Sequence, residues 1–327
     1  MTAKRKLLPV LEGEPWMIGP NPTDLGPLQG DLAAVAPKRP QEVVDHHVWR
    51  DAEGNWRLWA CVRGTAVGRI LYGWKSPSLE QPDWEPTGVA MRRDGSLGEN
   101  CGKSGPDASA TEEWIQSPYV IRSDDGLYHM FYGGSWADPC GTVRICSICH
   151  ATSRDGIVFD RTLDSRGKSV VFQGPGEARD PCLIRIGGLW HLYYSGDDYT
   201  TDPTVNHGAI NKMFVRTSSD LVAWSGSREV QWGGRAGIQP WRSECPHVVE
   251  RGGQFFMFRT ANYGAGETYV YRSEDPFDFG LGDDSHLVGM LDVAAPEIVV
   301  DGDREYVTSN KDLRGGCRLQ RLAWVEE

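Results

Sequence analysis

The amino-acid sequence predicts an all-β protein and, within that class, a five-bladed β-propeller. Three observations carry the prediction. No long amphipathic helix shows in the 327 residues. Short β-rich runs follow one another along the chain, and 39 Gly and 20 Pro supply the turns between them. One hairpin pattern recurs five times, usually with a third strand behind it. Units of three or four strands at such a period are propeller blades.

Residues 1–40 contain no copy of the pattern. They read as an N-terminal extension packing on the propeller, and residues 41–327 as a single propeller domain. The opening MTAKRKLLPVLEGEPWM is basic but has no apolar core region, so it does not read as a signal peptide. The five copies are VVDHHVWRDAEGNWRLWACVRG from Val43, IQSPYVIRSDDGLYHMFYGG from Ile115, GEARDPCLIRIGGLWHLYYSG from Gly176, SECPHVVERGGQFFMFRTANYG from Ser243 and AAPEIVVDGDREYVTSNKD from Ala294. Each runs from a polar or small residue through a short apolar strand and a tight Gly/Asp turn to an aromatic-rich strand, which is a β-hairpin. The second strand opens on Trp56, Tyr128, Trp190, Phe255 or Tyr306, at intervals of 72, 62, 65 and 51 residues. Pro118, Pro181, Pro246 and Pro296 precede that aromatic by nine or ten residues, and His46 takes the place in the first copy. Third strands follow in RILYGWKSPSLEQPDW, RICSICHATSRDGIVFD, KMFVRTSSDLVAWSG and TYVYRSEDPFDFG, each ending in a Ser-rich turn. The run CRLQRLAWVEE reads as the last strand.

In a propeller the first strand of each blade lines the central channel, so residues around each Pro converge on the axis. Blade one supplies Asp45, blade two Gln116 and Ser117, blade three Asp180, blade four Glu244, and blade five Ala295 with Glu297 just beyond. One such carboxylate could be a strand cap. Three at matching repeat positions argue for use, because converging like charges repel and perturb one another's pKa.

These residues resemble the five-bladed propeller glycoside hydrolases, the clan of families 32, 43 and 68, over about residues 40 to 325. Arg179-Asp180-Pro181 is similar to the Arg-Asp-Pro motif of family 32. Glu244-Cys245-Pro246-His247 is similar to the Glu-Cys motif of family 32 and to the Glu-Gly-Pro-His of family 43. The resemblance implies a catalytic propeller that cleaves a small oligosaccharide in an exo-acting mode, with Asp45 as nucleophile or general base, Asp180 as transition-state stabiliser and Glu244 as general acid. Blade one departs from family 32: it reads Val44-Asp45-His46-His47, without the Asn and Pro of that family's nucleophile motif. The upstream Trp16-Met17-Ile18-Gly19-Pro20-Asn21 has the look of that motif but carries Gly19 where the Asp belongs. A non-catalytic carbohydrate-binding propeller is the alternative. A propeller phosphorylase would need a basic cluster, for which Arg179 and Arg242 are too few.

Further candidates for substrate contact are His46, His47, Gln116, Ser117, Trp136, Arg179, Trp241, His247 and Glu297, with Tyr263 as another stacking aromatic. No cofactor is required. A channel-bound metal ion such as calcium is compatible with the resemblance, with His207 in the polar insert Asp197 to Asn211 as its candidate ligand. Cys146-Ser147-Ile148-Cys149-His150 fits the haem-attachment spacing, but in a strand its two cysteines face opposite sides. A zinc site with Cys140 fares little better. The segment Arg92 to Thr111 reads as an insertion at the pocket rim.

A net charge of −11 without a basic stripe argues against nucleic acid. No apolar run is long enough to span a membrane. Eight scattered cysteines, several inside strands, read as reduced thiols and point to the cytoplasm. An oligosaccharide is the expected partner, and nothing specifies an oligomeric state.

Overall fold

A computed structural model describes residues 6–29, 40–99, 113–137, 144–199, 209–312 and 315–327. It is a five-bladed β-propeller, 60% strand and 4% helical. The chain divides into two compact units, one of Met17–Pro181 with Leu313–Cys317, the other of Met1–Trp16, Cys182–Asp312 and Arg318–Glu327.

The strands, in chain order, begin with β1 (Leu7–Gly19). Blade one is β2 (Glu42–Arg50), β3 (Trp56–Thr65), β4 (Gly68–Ser76) and β5 (Glu85–Met91), paired in that order. Blade two is β6 (Ile115–Arg122), β7 (Tyr128–Ala137) and β8 (Arg144–Ser153), with β9 (Asp160–Arg161) and β10 (Val170–Gln173) both on β8. Blades one and two share a core. Trp49, Trp59, Cys61 and Leu71 pack with Ile115, Met130, Tyr132 and Phe159 in one buried cluster.

Blade three is β11 (Arg179–Ile186), β12 (Leu189–Tyr199), β13 (Ala209–Ser218) and β14 (Arg228–Gly233), extended by a parallel β18 (Leu281–Gly282). Blade four is β15 (Glu244–Arg251), β16 (Gln254–Asn262), β17 (Glu267–Ser273) and β19 (Leu287–Asp292). Blade five is β20 (Ile298–Asp301), β21 (Arg304–Ser309) and β22 (Cys317–Glu326), and its outer strand is β1. The segment set apart in the sequence as an extension thus supplies a strand of the last blade. Leu7 and Leu11 of β1 pack on a cluster of Phe256, Phe258, Val270, Leu291, Val307 and Leu322.

The Ser-rich turns have a common chemistry. Asp155 Oδ1 accepts the backbone N–H groups of Ile157 and Val158, and Asp220 Oδ1 those of Val222 and Ala223. Asp275 Oδ1 accepts Phe277 N–H at 2.9 Å. Each carboxylate substitutes for the ladder where the strand ends. The buried Phe159 and Phe279 then return the chain to the core.

The insert expected over Asp197 to Asn211 is partly strand instead. Asp197 pairs with Asn211, Asp198 with Ile210 and Tyr199 with Ala209. Strand pairing continues here because Asn211 Nδ2 donates to Gly196 O and Asp197 Oδ1, which satisfies the polar side chains inside the ladder. His207, Cys140 and residues 100–111 of the expected rim insertion lie outside the described residues. No described helix is long and apolar enough to cross a membrane.

Candidate active site

One backbone feature recurs in every blade. Asp45, Ser117, Asp180, Cys245 and Ala295 are non-glycine residues with φ of 44°, 50°, 56°, 49° and 50°. They fall at one repeat position, one per blade, immediately before His46, Pro118, Pro181, Pro246 and Pro296. A left-handed conformation is costly for a residue with a Cβ. In blades one, two and four the pairing register slips across this residue. A bulge of this kind re-aims a side chain out of the alternating pattern of the strand.

The first unit carries two of the expected carboxylates. A carboxylate oxygen of Asp45 lies within 4.8 Å of one of Asp180. Asp180 is 5% exposed. Its Oδ1 accepts Ser117 Oγ at 2.7 Å, and its Oδ2 lies 3.6 Å from Arg179 Nε. Arg179 also donates from Nη1 to Glu177 Oε2 at 3.0 Å. The Asp180 carboxylate therefore has a fixed orientation from two sides. Arg69 and Trp114 both donate to Gln116 Oε1, and the Arg69 guanidinium lies 3.7 Å from the Trp114 ring centroid. That fixes the Gln116 amide with its nitrogen as the remaining donor. Burial is the main reason the Cys61 thiol is pushed up to about 12, with Arg69 opposing and Asp45 adding to the effect. The thiol is neutral at physiological pH and packs as an apolar group.

The second unit carries Glu244, half-buried at the start of β15. Glu244 stands one residue before the left-handed position, which Cys245 occupies. Cys245 Sγ is 2.8 Å from Tyr263 Oη. The residue before Glu244 is held on three sides. Ser243 N–H donates to Asn211 Oδ1, Ser243 Oγ donates to Asn211 O, and Ser195 Oγ donates to Ser243 O.

His47 and His247 sit two residues after the left-handed position in their blades. Both are candidates for substrate contact, and both rings are buried and bonded to the next blade. His47 Nε2 is 2.9 Å from Val120 O, and its ring centroid is 4.1 Å from that of Tyr119. His247 Nε2 accepts Ile298 N–H at 3.0 Å, and its Nδ1 is 3.8 Å from Cys182 Sγ. Val120 and Ile298 occupy equivalent repeat positions, so the two histidines are the same staple in two blades. Glu297 holds the corresponding place in blade five and is 7% exposed. His46 is buried. Trp241 is exposed, Tyr263 is half-buried, and the backbone of Trp136 lies on β7. Cys146, Cys149 and His150 are buried on β8, and neither Cys146 nor Cys149 is in a disulfide.

Cys245 and Arg69 were not singled out as site residues in the sequence. For Cys245 the signal was present, since it precedes Pro246 as Asp180 precedes Pro181. Arg69 stands on a second-neighbour strand and had no sequence signal.

No family model matches the chain, and no curated protein matches it. Solved structures do. A thermostable family-43 glycoside hydrolase superposes with a TM-score of 0.61 at 19% identity, covering 88% of this chain and 91% of that one. A GH43 enzyme from Xanthomonas citri complexed with xylose gives 0.58 at 13% identity, over 91% and 90%. A mutant Bombyx mori GH32 β-fructofuranosidase in complex with sucrose gives 0.59 at 16% identity, over 94% of this chain and 62% of that one. At these identities the likeness is one of fold.

Proposed function

We propose that this propeller is a glycoside hydrolase that removes sugar units from the end of a small oligosaccharide, with Asp45, Asp180 and Glu244 as its acting carboxyls. One observation carries the reading. Blades one and three place an aspartate on the left-handed residue, and blade four places a glutamate immediately before it. The family-43 hydrolase, the xylose-bound GH43 enzyme and the β-fructofuranosidase that superpose on this chain support a saccharide substrate.

Glycosidic cleavage needs one carboxyl protonated towards the leaving oxygen and one ionised on the other side of the sugar. Glu244 takes the first role. Asp45 takes the second, attacking the anomeric carbon in a retaining enzyme or activating water in an inverting one. Asp180, oriented by Ser117 and Arg179, hydrogen-bonds sugar hydroxyls and stabilises the positive charge that develops on the ring. Gln116 donates from its amide nitrogen to a hydroxyl. Hydrolysis adds water across the bond: the leaving oxygen takes the proton of Glu244, and the anomeric carbon takes hydroxide.

The test compares wild type with Glu244→Gln on xylo-, arabino- and fructo-oligosaccharides and on aryl glycosides. Loss of an acid costs about 10²–10⁴-fold where the leaving group needs a proton. Oligosaccharide cleavage should fall by that amount, while glycosides of acidic phenols are largely spared. Equal loss on both classes would remove Glu244 from the acid role. Saturable sugar binding without cleavage by wild type would instead favour the non-catalytic propeller.

A further inference from the structure

The loop from Gly233 to Ser243 joins blade three to Glu244 and is held by two buried polar side chains. Arg259 on β16 is fully buried. Its Nε donates to Arg242 O at 2.8 Å, its Nη1 to Gly233 O at 3.0 Å and Gln231 Oε1 at 2.6 Å, and its Nη2 to Gly237 O at 2.6 Å. Asn211 adds its backbone N–H to Ile238 O and accepts Ser243 N–H on Oδ1. Burying a guanidinium costs free energy, and here burial pulls its pKa down to about 10. Three of its four bonds go to carbonyls of the loop, so the loop is what that burial secures.

The loop displays Trp241. It is 58% exposed and has φ of 63°. Among the tryptophans whose side chains are described, it alone is exposed. A left-handed backbone is strained for a residue with a bulky side chain. Four residues of chain from Trp241 to Glu244 span at most roughly 11 Å, about the length of two sugar rings. An aromatic face at that range suits the apolar face of a sugar on the leaving-group side of the bond that Glu244 protonates.

We infer that Arg259 is a positioning residue, that it holds the Gly233–Ser243 loop rigid, and that the loop presents Trp241 as a stacking platform for a neutral sugar ring. This deepens the glycosidase reading and rests on it for the identity of the leaving-group side.

The experiment uses Trp241→Ala, Trp241→Phe and Arg259→Lys in the full chain, with xylotriose, arabinotriose and sucrose as probes. Lysine keeps the charge but cannot reach four acceptors in a fork. Amide exchange in peptides covering 233–243 should quicken in Arg259→Lys, with blades one and two unchanged. Trp241→Ala should weaken binding of the best probe, measured by calorimetry in a Glu244→Gln background, on the order of ten-fold, and Trp241→Phe should restore most of it. In the active enzyme both losses should appear in KM more than in kcat. Should wild type cleave a probe while these variants leave KM and exchange unchanged, the platform is refuted and the hydrolase reading stands. Binding lost in Trp241→Ala without cleavage by wild type would keep the platform and sink the hydrolase. If no probe is bound or cleaved, both fail. Arg259→Lys that does not fold leaves the decision to the two Trp241 variants.

Discussion

Lowering the pH should destabilise the protein through one buried histidine. His150 is 4% exposed on β8, stacked on Phe131 at 4.5 Å between ring centroids and on His129 at 5.2 Å. His129 Nδ1 is 3.1 Å from His150 Nε2, so one ring must donate and the other accept. Burial, with the neighbouring His129 adding to it, lowers the His150 pKa from 6.5 to about 3. His129 is lowered as well, chiefly by burial, with Asp125 opposing. Between about pH 3 and 6.5 the unfolded chain carries a proton on residue 150 that the folded chain lacks. Stability therefore rises with pH across that window and falls as pH drops through it. At pH 5.0 the folded ring is still neutral, so the cost depends only on the unfolded value and comes to about 2 kcal/mol relative to pH 7.5. Carboxylates such as Asp155 and Asp220, held below their ordinary 3.8 chiefly by backbone N–H donors, change little between pH 5.0 and 7.5, because that interval lies above even the unfolded value. Reversible urea unfolding of wild type and His150→Gln at pH 7.5 and 5.0 is the assay. Wild type should lose about 2 kcal/mol more than the variant over that interval. Equal losses would show that His150 takes a proton inside the fold and would refute the argument.

Two further perturbations separate site from scaffold. Asp180→Asn should lower kcat/KM on the order of a thousand-fold while melting near the wild-type temperature, since Ser117 Oγ can still donate to the amide oxygen; full activity would remove Asp180 from the mechanism. Arg161→Met should cost about 3 kcal/mol in urea unfolding, because it strips Nε and Nη2 donors from the fully buried Glu99, and an unchanged midpoint would show that Tyr132, Ser169 and the Asp94 N–H suffice to hold that carboxylate.

The blades were legible because each repeat states its own turns and strands. The hairpins, the third strands and their Ser-Asp turns all lie close in sequence, so local pattern suffices. β1 was not legible. Its partner β22 is some three hundred residues away, and a strand beginning Leu7-Leu8-Pro9 carries no local sign of where it pairs. The extension of β12 and β13 was hidden for another reason: Asp197, Asp198 and Asn211 look like loop residues until Asn211 is seen to satisfy Asp197. The site was half legible. Proline marked the position in four blades, and the residue before it could be read off. What His47 and His247 do could not, because a staple to the next blade depends on a backbone group 73 or 51 residues ahead.

Strain at a candidate site invites the inference that the strain is functional. Blade five argues otherwise. Ala295 adopts the same left-handed turn as Asp45 and Asp180 with no side-chain chemistry to serve, and its N–H is bonded by Thr260 Oγ1. The turn is therefore a property of the blade, and function resides in which side chain the turn carries. Ala295→Gly tests this. At an ordinary buried position the change would cost about 1.5 kcal/mol, roughly 0.8 for the buried methyl and the rest in backbone entropy. At φ of 50° it also removes about 1–2 kcal/mol of left-handed penalty, so the two effects nearly cancel. Urea unfolding of Ala295→Gly should thus fall within about 0.5 kcal/mol of wild type, with activity unchanged. A full loss of the ordinary size would mean the turn carries no strain, and the repeated left-handed residue would no longer distinguish the five positions from any other in their strands.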